Sequence, residues 1–583
     1  MKIEMVKVNN YRNIQSIVVN FNPICNYIIG ENNLGKSNFL MLLYTVCGGK
    51  CFAEEDFLDP TKSIEVELYI RLLQCEYGYF GDNFSPDDSS LVKIRYSQSI
   101  TDAYPNIISI DSNEAISLKQ IRKINFFRYE TTAIPSKELR LDTQKGTGLL
   151  ISTLINKYTE SDETEFLNHI QIEGLLDFLN EYLYKIRGFK DYSIKATIAK
   201  DRTDVLTNLF YLSDGDRKID STGSGIQYMA MASITIMCKI MELYKSKSVN
   251  FSDLLYTNSE NKKILPIVLS VDEPEVHLHP YLQRSLINYY IHVLNNEDDD
   301  FLDLIKKCFD IDGINGQLIV VTHSTDALVG DYRNLIRFYR NNEIISAISG
   351  YSLQPNITTL TEEQIDDSDE KHLIMRFPEI KEAFYSKCAI LIEGATEYGC
   401  IQAFAKKMKI SLDDNGICVI NAEGEGSIKP IRKLLSLFSI PSIAMYDGDV
   451  KGKNAITDKD FYTTEQCFEI EIVKSLYSRN EQDKIRRIAI ELNSTAYSAI
   501  MDEEFVKKHY KKMGIDLNGY IPKKLEDVDN NDKSDFCNRF SAWFMAEKGV
   551  ILGRVVGENV SEDDIPLSYR NAIKKALEVA TSE

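Results

Sequence analysis

The sequence predicts an α/β fold in several domains, and three observations predict it. Uncharged apolar runs of strand length, among them 265–271, 317–321, 388–392 and 442–446, read as strands buried on both faces. Each run breaks at its C-terminal end into a cluster of acidic, hydroxyl, glycine or histidine residues, the pattern of an open sheet that holds ligands at its strand ends. The length, 583 residues, exceeds one core and divides into roughly two to four domains.

Composition narrows the class. A hydrophobic content of 44% is that of a globular protein. The net charge of -20 argues against a surface coated in basic charge, while a local basic groove stays compatible with it. The first residues alternate polar and apolar without an apolar signal core, and no run reads as long and uncharged enough to cross a membrane. The expectation is a cytoplasmic protein. Eleven cysteines scattered singly read as reduced thiols. Cys47 and Cys51 have no second ligand pair, so they read as filler at a helix end and not as a zinc site.

In chain order, 2–8 and 16–21 read as two strands whose connecting turn brings Arg12 near the segment that follows. There Tyr27-Ile28-Ile29 breaks into Gly30-Glu31-Asn32-Asn33-Leu34-Gly35-Lys36-Ser37 ahead of an amphipathic helix, the strand-to-helix context that a P-loop requires. Gly30 and Gly35 let backbone N–H groups face a triphosphate, Lys36 reaches the β/γ-phosphates, and the Ser37 hydroxyl meets Mg²⁺. Asn33 and Asn38 complete the nucleotide-facing set. Strand alternation recurs at 63–73 and 91–97, and nothing forms the heptad run of a long coiled coil. Helical spacing then marks 147–200 as an inserted lobe for dimerisation, between the two parts, 1–146 and 201–350, of a nucleotide-binding domain.

Ser221-Thr222-Gly223-Ser224-Gly225 opens a long apolar helix, where free N–H groups and a hydroxyl make an anion site; an ordinary N-cap has the same spelling. The run 265–271 delivers Asp272 and Glu273, a Walker B pair in which Asp272 holds Mg²⁺ through water and Glu273 orients or deprotonates the attacking water. His277 and His279 lie in a segment read as a contact loop, with Pro280 in the first turn of the next helix. The run 317–321 ends in Thr322-His323-Ser324. These motifs in this order resemble the ABC-type ATPases of the RecF kind. The resemblance implies ATP as cofactor, His323 as sensor of the γ-phosphate, and Ser221, Gly223 and Gly225 facing the ATP of a partner subunit in a homodimer or higher oligomer. The signature departs from the usual Ser-Gly-Gly spelling, and no Q-loop is evident.

A charge-rich stretch, 360–370, marks 351–385 as a linker. Beyond it, 388–392 ends in Glu393-Gly394-Ala395-Thr396-Glu397, and 442–446 ends in Asp447-Gly448-Asp449. Strand-end carboxylates of this kind are hard oxygen ligands suited to Mg²⁺ or Mn²⁺. The pair resembles a Toprim domain, over 386–583. An ABC-type ATPase followed by Toprim resembles the OLD (overcoming lysogenization defect) family of nucleases. On that resemblance Glu393 and Glu397 match the Glu-Gly-x-x-Glu acids, Asp447 and Asp449 the Asp-x-Asp, Glu469 the later acidic block, and Lys548 the late catalytic lysine.

What the resemblance implies is an ATP-hydrolysing DNA endonuclease in anti-phage defence. Glu393, Glu397, Asp447, Asp449 and Glu469 hold divalent ions, and Lys548 neutralises charge on the phosphate. Family relatives work with a retron reverse transcriptase and its reverse-transcribed DNA, or with a UvrD-like helicase. Arg432, Lys433, Lys451 and Lys453 read either as the lining of a DNA path or as ordinary solvated cations. The alternative is an ATP-driven DNA clamp or repair mediator of RecF type, its Toprim domain noncatalytic. The full set of Toprim acids favours cleavage, because a binding platform need not retain them.

Overall fold

The computed structural model describes residues 1–130, 135–141, 146–159, 169–198, 210–214, 217–246, 250–341, 344–353, 367–452, 457–493 and 529–582. Two compact units divide the chain, Met1–Ser352 and Leu353–Glu583.

The first unit is built on two large sheets and a third, small one. The N-terminal strand Lys2–Tyr11 pairs antiparallel with Ile14–Asn20 on one side and Ile64–Arg71 on the other, and Leu91–Gln98 and Asn106–Ser109 extend this sheet. The second sheet runs Tyr256–Thr257, Lys263–Asp272, Gly313–Val321, Cys25–Ile29, Leu335–Asn341, Ile344–Ser349, with Phe126–Glu130 also paired to Lys263–Asp272. Its central strands are mutually parallel. That direction decides the site, because Asp272 ends a parallel strand, Gly30 and Thr322 each follow one, and all three emerge at one edge.

The helix Lys36–Cys47 begins at Gly35, whose φ of 77° is left-handed and free of the penalty a side chain would carry there. Phe39, Leu40, Leu42, Leu43 and Val46 are its buried face and join the core of the two sheets. Full burial of such a side chain is worth about 1.5–3 kcal/mol, so this face holds the loop ahead of it in place.

Where the sequence predicts a wholly helical insertion over 147–200, the helices Gly146–Thr159, His169–Leu183 and Arg187–Asp191 are followed by a strand, Ile194–Ile198, antiparallel to Phe210–Asp214. Its residues alternate with period two, Ile194 and Ala196 turning into the core. One element corrects the expectation that no run suits a membrane. Helix Ser224–Tyr244 is long and apolar enough by composition, and 61% of its most apolar window is buried. Tyr289 and Tyr290 donate to its Ser233 and Ala232 carbonyls at 3.1 and 3.0 Å, contacts of a core helix.

The second unit centres on a four-stranded parallel sheet ordered Ile417–Asn421, Cys388–Ile392, Ser442–Tyr446, Asp460–Tyr462. Phe404, Phe468 and Tyr569 pack ring against ring beneath it, centroids 5.2–6.3 Å apart. Part of the stretch read as linker is the helix Asp367–Ile380, with Leu373, Phe377 and Ile380 buried and Asp369 paired to Lys433 at 3.0 Å. The remainder of the acidic connector, 360–366, lies outside the described residues, as does Lys453.

Candidate nucleotide and metal centres

The P-loop closes on itself. Buried Lys36 donates from Nζ to the Gly30 and Glu31 carbonyls at 2.9 and 2.6 Å, and burial pushes its ammonium down to about 8. A Cβ on Gly30 would stand 2.2 Å from the Phe338 carbonyl oxygen, so the loop's approach to the neighbouring strand needs glycine. Ser37 Oγ donates to Asp272 Oδ1 at 3.0 Å, joining the two residues that the sequence assigns to one Mg²⁺. Arg128 Nη2 lies 4.0 Å from Asp272 Oδ2.

Glu273 adopts φ 51°, a left-handed conformation costly for a residue with a side chain, and its N–H is held by Val321 O at 2.8 Å. The turn aims its carboxylate at His323, whose Nε2 lies 3.9 Å from Glu273 Oε1. Burial, then the charge of Lys36, keep the His323 imidazole below its usual range and favour the neutral ring. Two residues that sequence reasoning did not single out, Glu275 and Asn13, join this set together with Arg12, which the sequence places near the loop. Glu275 accepts from Thr322 Oγ1 at 2.8 Å and from the His323 N–H at 2.6 Å, while Asn13 and Arg12 both bind Asn38 at 2.9 Å. Asn13 also donates to the Asn33 carbonyl at 3.2 Å. The Asn38 amide is therefore engaged by the hairpin turn. Glu275 follows the Walker B pair by two residues, a signal open to notice; the Asn13 link depends on a fold-back that no local pattern announces.

The Ser221 to Gly225 segment stands apart from these residues. Ser221 Oγ donates to Lys218 O at 2.7 Å, and Gly223 begins the helix Ser224–Tyr244. Among the described residues no hydrogen bond or ion pair joins Ser221, Gly223 or Gly225 to the P-loop. The segment packs instead against the 274–280 loop, where the Tyr228 and His277 rings stack with centroids 4.6 Å apart.

In the second unit the parallel pairing of Cys388–Ile392 with Ser442–Tyr446 brings two strand-end acids together. The Asp447 N–H donates to Glu393 Oε2 at 3.0 Å. Glu397 in the first turn of helix Ala395–Lys407 and Glu469 in the first turn of Phe468–Ser478 complete a buried acidic cluster, with Asp449 exposed on the Gly448–Val450 turn. Of the two acids in the later block, Glu469 turns inward to accept from Thr396 Oγ1 at 2.7 Å, and Glu471 is satisfied by Thr464 N–H and Ser568 Oγ at 3.0 and 3.2 Å. Lys548 Nζ lies 3.5 Å from Glu469 Oε2 and 3.7 Å from Asp447 Oδ2.

Glu397 Oε2, Asp447 Oδ1 and Glu469 Oε2 are buried without a hydrogen-bond partner. Burial pushes Asp447 up to about 7, and burial with the nearby Glu469 and Asp447 charges holds Glu397 well above the carboxylate range. Burial likewise raises Glu393, against the Asp447 N–H. For Lys548 burial acts downward, but Glu469, Glu397 and Asp447 outweigh it and hold the ammonium protonated. Among the described residues no three Asp, Glu, His or Cys side chains are gathered closely enough to hold one ion between them. The donor chemistry, all carboxylate oxygen with three buried atoms lacking a hydrogen-bond partner, fits a hard divalent cation.

Arg432 is ion-paired to Asp460 and Lys433 to Asp369, so these two cations brace the fold. The Glu423 to Ser427 segment starts helix Glu425–Leu437 and ties Gly424 N–H to Glu393 O at 2.9 Å.

A pH dependence follows from the raised acids. A carboxyl with a raised folded pKa keeps its proton longer when folded than when unfolded, so the stability it contributes is present below its ordinary pKa and is lost as pH rises through the folded value. Glu397→Gln removes one such group. In EDTA its melting temperature should gain on the parent's between pH 5 and pH 8, read by scanning fluorimetry. A gap that stays flat across that range would take Glu397 out of the uncompensated cluster.

Comparison with known proteins sets these centres in families. The AAA ATPase domain model matches residues 1–187 and 142–327, together 1–327 and more than half of the chain. The chain belongs to the AAA ATPase domain family. After this AAA domain, the model of the Toprim domain of overcoming-lysogenization-defect-like proteins matches 384–449, which contains Glu393, Glu397, Asp447 and Asp449. The Old nuclease of Escherichia phage P2 is 21% identical over 495 residues, covering 80% of each chain. The DNA replication and repair protein RecF of Lysinibacillus sphaericus (strain C3-41) is 42% identical over 50 residues, 9% of this chain and 14% of that one. Among solved structures, the C-terminal region of the Burkholderia pseudomallei OLD protein is 17% identical, with a TM-score of 0.23, covering 34% of this chain and 100% of that chain. The AAA domain and the Toprim match, with the Old nuclease relative, support the OLD family, and the two domains imply ATP and a divalent metal as cofactors.

Proposed function

We propose that the chain is an ATP-hydrolysing, divalent-metal-dependent DNA endonuclease, its cutting centre in the Toprim unit, acting against phage DNA. The observation that carries this reading is that Glu397, Asp447 and Glu469, each with a buried oxygen lacking a hydrogen-bond partner, lie near the Lys548 ammonium, which is ion-paired to Asp447 and Glu469. Such a cluster costs stability in a protein that does nothing with it. The similarity to the Old nuclease over 80% of the chain points the same way.

Glu393, Glu397, Asp447, Asp449 and Glu469 would hold the metal, which when bound supplies a Lewis acid and a water activated for attack on a phosphodiester. The Lys548 side chain is 41% exposed, and its ion pairs to Asp447 and Glu469 fix the ammonium among the acids. It places a positive charge beside the non-bridging oxygens of the phosphate as charge grows there. In the AAA domain Lys36 and Ser37 would bind the triphosphate, Asp272 would hold Mg²⁺ together with Ser37, and Glu273 would orient or deprotonate the attacking water. Ser221, Gly223 and Gly225 complete the site of a second copy, so that two chains close on ATP.

The test is supercoiled-plasmid nicking beside phosphate release from ATP on one preparation. Open circles should accumulate with Mg²⁺ or Mn²⁺ and vanish with EDTA, without a need for the cysteines. Nicking that survives thorough chelation overturns the metal-dependent reading. A chain that binds DNA and hydrolyses ATP yet never nicks is a clamp of RecF type.

A further inference from the structure

We infer that Thr396 is a positioning residue of the cleavage centre: its hydroxyl ties the turn carrying Lys548 to Glu469, and so sets where the ammonium stands among the acids. The inference rests on the reading of the Toprim unit as the cutting centre.

Thr396 is wholly buried in the first turn of helix Ala395–Lys407. Its Oγ1 does two things at once. It donates to Glu469 Oε1 at 2.7 Å and accepts the Gly549 N–H at 3.0 Å. A hydroxyl can fill both roles, whereas a methyl can fill neither. The donation settles which Glu469 oxygen is satisfied and leaves Oε2 facing Lys548 Nζ at 3.5 Å. The acceptance pins the residue next to Lys548, where Gly549 takes φ 151° to lead the chain into helix Val550–Asn559.

The two helices are themselves packed with no room for a side chain between them at two glycines. A Cβ on Gly553 would stand 1.9 Å from the Thr396 carbonyl oxygen, and one on Gly399 would stand 2.4 Å from the Val550 carbonyl oxygen. Backbone therefore lies against backbone at Gly399 and at Gly553, the latter against Thr396 itself. The free variable left in this corner is the Lys548 to Gly549 turn, and Thr396 is the side chain that holds it. Placement errors of about 1 Å at a reacting centre cost rate by about a hundredfold.

The experiment compares nicking by the full-length chain with metal in excess. Thr396→Val should lower kcat about 10- to 100-fold with the KM for plasmid within about twofold, the scale of a misplaced group. Thr396→Ser should return to within about threefold of the parent, because it keeps both hydrogen bonds. The double variant Thr396→Val/Lys548→Ala should be no slower than Lys548→Ala alone, since Thr396 acts through the lysine and groups that work as one unit are not additive. A merely structural defect would multiply with the lysine loss instead. Thr396→Ala, which removes the hydroxyl without valine's second methyl, replaces a valine chain that melts early. Parent-like nicking by Thr396→Val, no rescue by serine, or losses that multiply would each overturn the inference. An Asp447→Ala chain that nicks at the parent rate removes the cutting centre itself; an inactive Asp447→Ala beside a parent-like Thr396→Val removes Thr396 alone.

Discussion

Asp447→Ala should lower plasmid nicking by a factor of about 10² to 10³, the scale of weakening one source of transition-state charge stabilisation, here the metal that this carboxylate would hold, while ATP hydrolysis stays at the parent rate. Asp447 carries one of the oxygens that lack a partner, and its backbone N–H holds Glu393, so the strand end is where the acids are joined. Glu393→Ala should fall with it, because it removes a second carboxylate and the acceptor of that N–H. Neither residue belongs to the unit that contains the P-loop, which is why the ATPase readout separates the two centres. Lys548→Ala should lose nicking as well but keep the rise in melting temperature that Mg²⁺ gives the parent, since ligand binding to the native state stabilises it and the lysine is not a ligand. Asp447→Ala should lose that rise. Nicking undiminished in both acid variants means that cutting, if any, is done elsewhere.

The parts that the sequence announces are those with local spelling. Gly30 to Ser37 follows a strand and opens a helix, Asp272 ends a buried run, and both the Glu393 and Asp447 clusters sit at strand ends, so residue type and periodicity suffice. Glu469 and Lys548 are different. They are 79 residues apart and meet only through the packing of helices Ala395–Lys407 and Val550–Asn559, and it took a family resemblance to single them out. Thr396 shows the limit more clearly. On sequence it is a filler position between two acids, and its role depends on an N–H that arrives from 153 residues away. The same holds for Asn13, which binds Asn38 across 25 residues of chain, and for the strand Ile194–Ile198, whose short alternation at Ile194 and Ala196 is too brief to interrupt the helical spacing read ahead of it. Arg432 and Lys433 were open to two readings because a charge shows nothing of its partner until Asp460 and Asp369 are in place.

Glu273→Gln should slow ATP turnover by about 10² to 10⁴, the span of general-base contributions, and leave ATP affinity within a few-fold of the parent. The glutamine amide still hydrogen-bonds a water but cannot take its proton, and it adds no bulk to a turn already held at φ 51° by the Val321 carbonyl. Lys36→Ala should act on the other term and lose ATP binding, because the buried ammonium, set between the Gly30 and Glu31 carbonyls, is the cation of the loop itself. The pair of variants also reads the proposed assembly. If Ser221, Gly223 and Gly225 close on the ATP of a second copy, Glu273→Gln with ATP should accumulate as a dimer by light scattering, and Lys36→Ala should not. Nicking by the same two proteins then assigns the nucleotide its sign. Cutting that rises in Lys36→Ala and falls in ATP-locked Glu273→Gln makes bound ATP a brake, and the reverse makes it a licence. Parent-rate phosphate release by Glu273→Gln would take the residue out of its role, with His323, 3.9 Å away, the next side chain to replace.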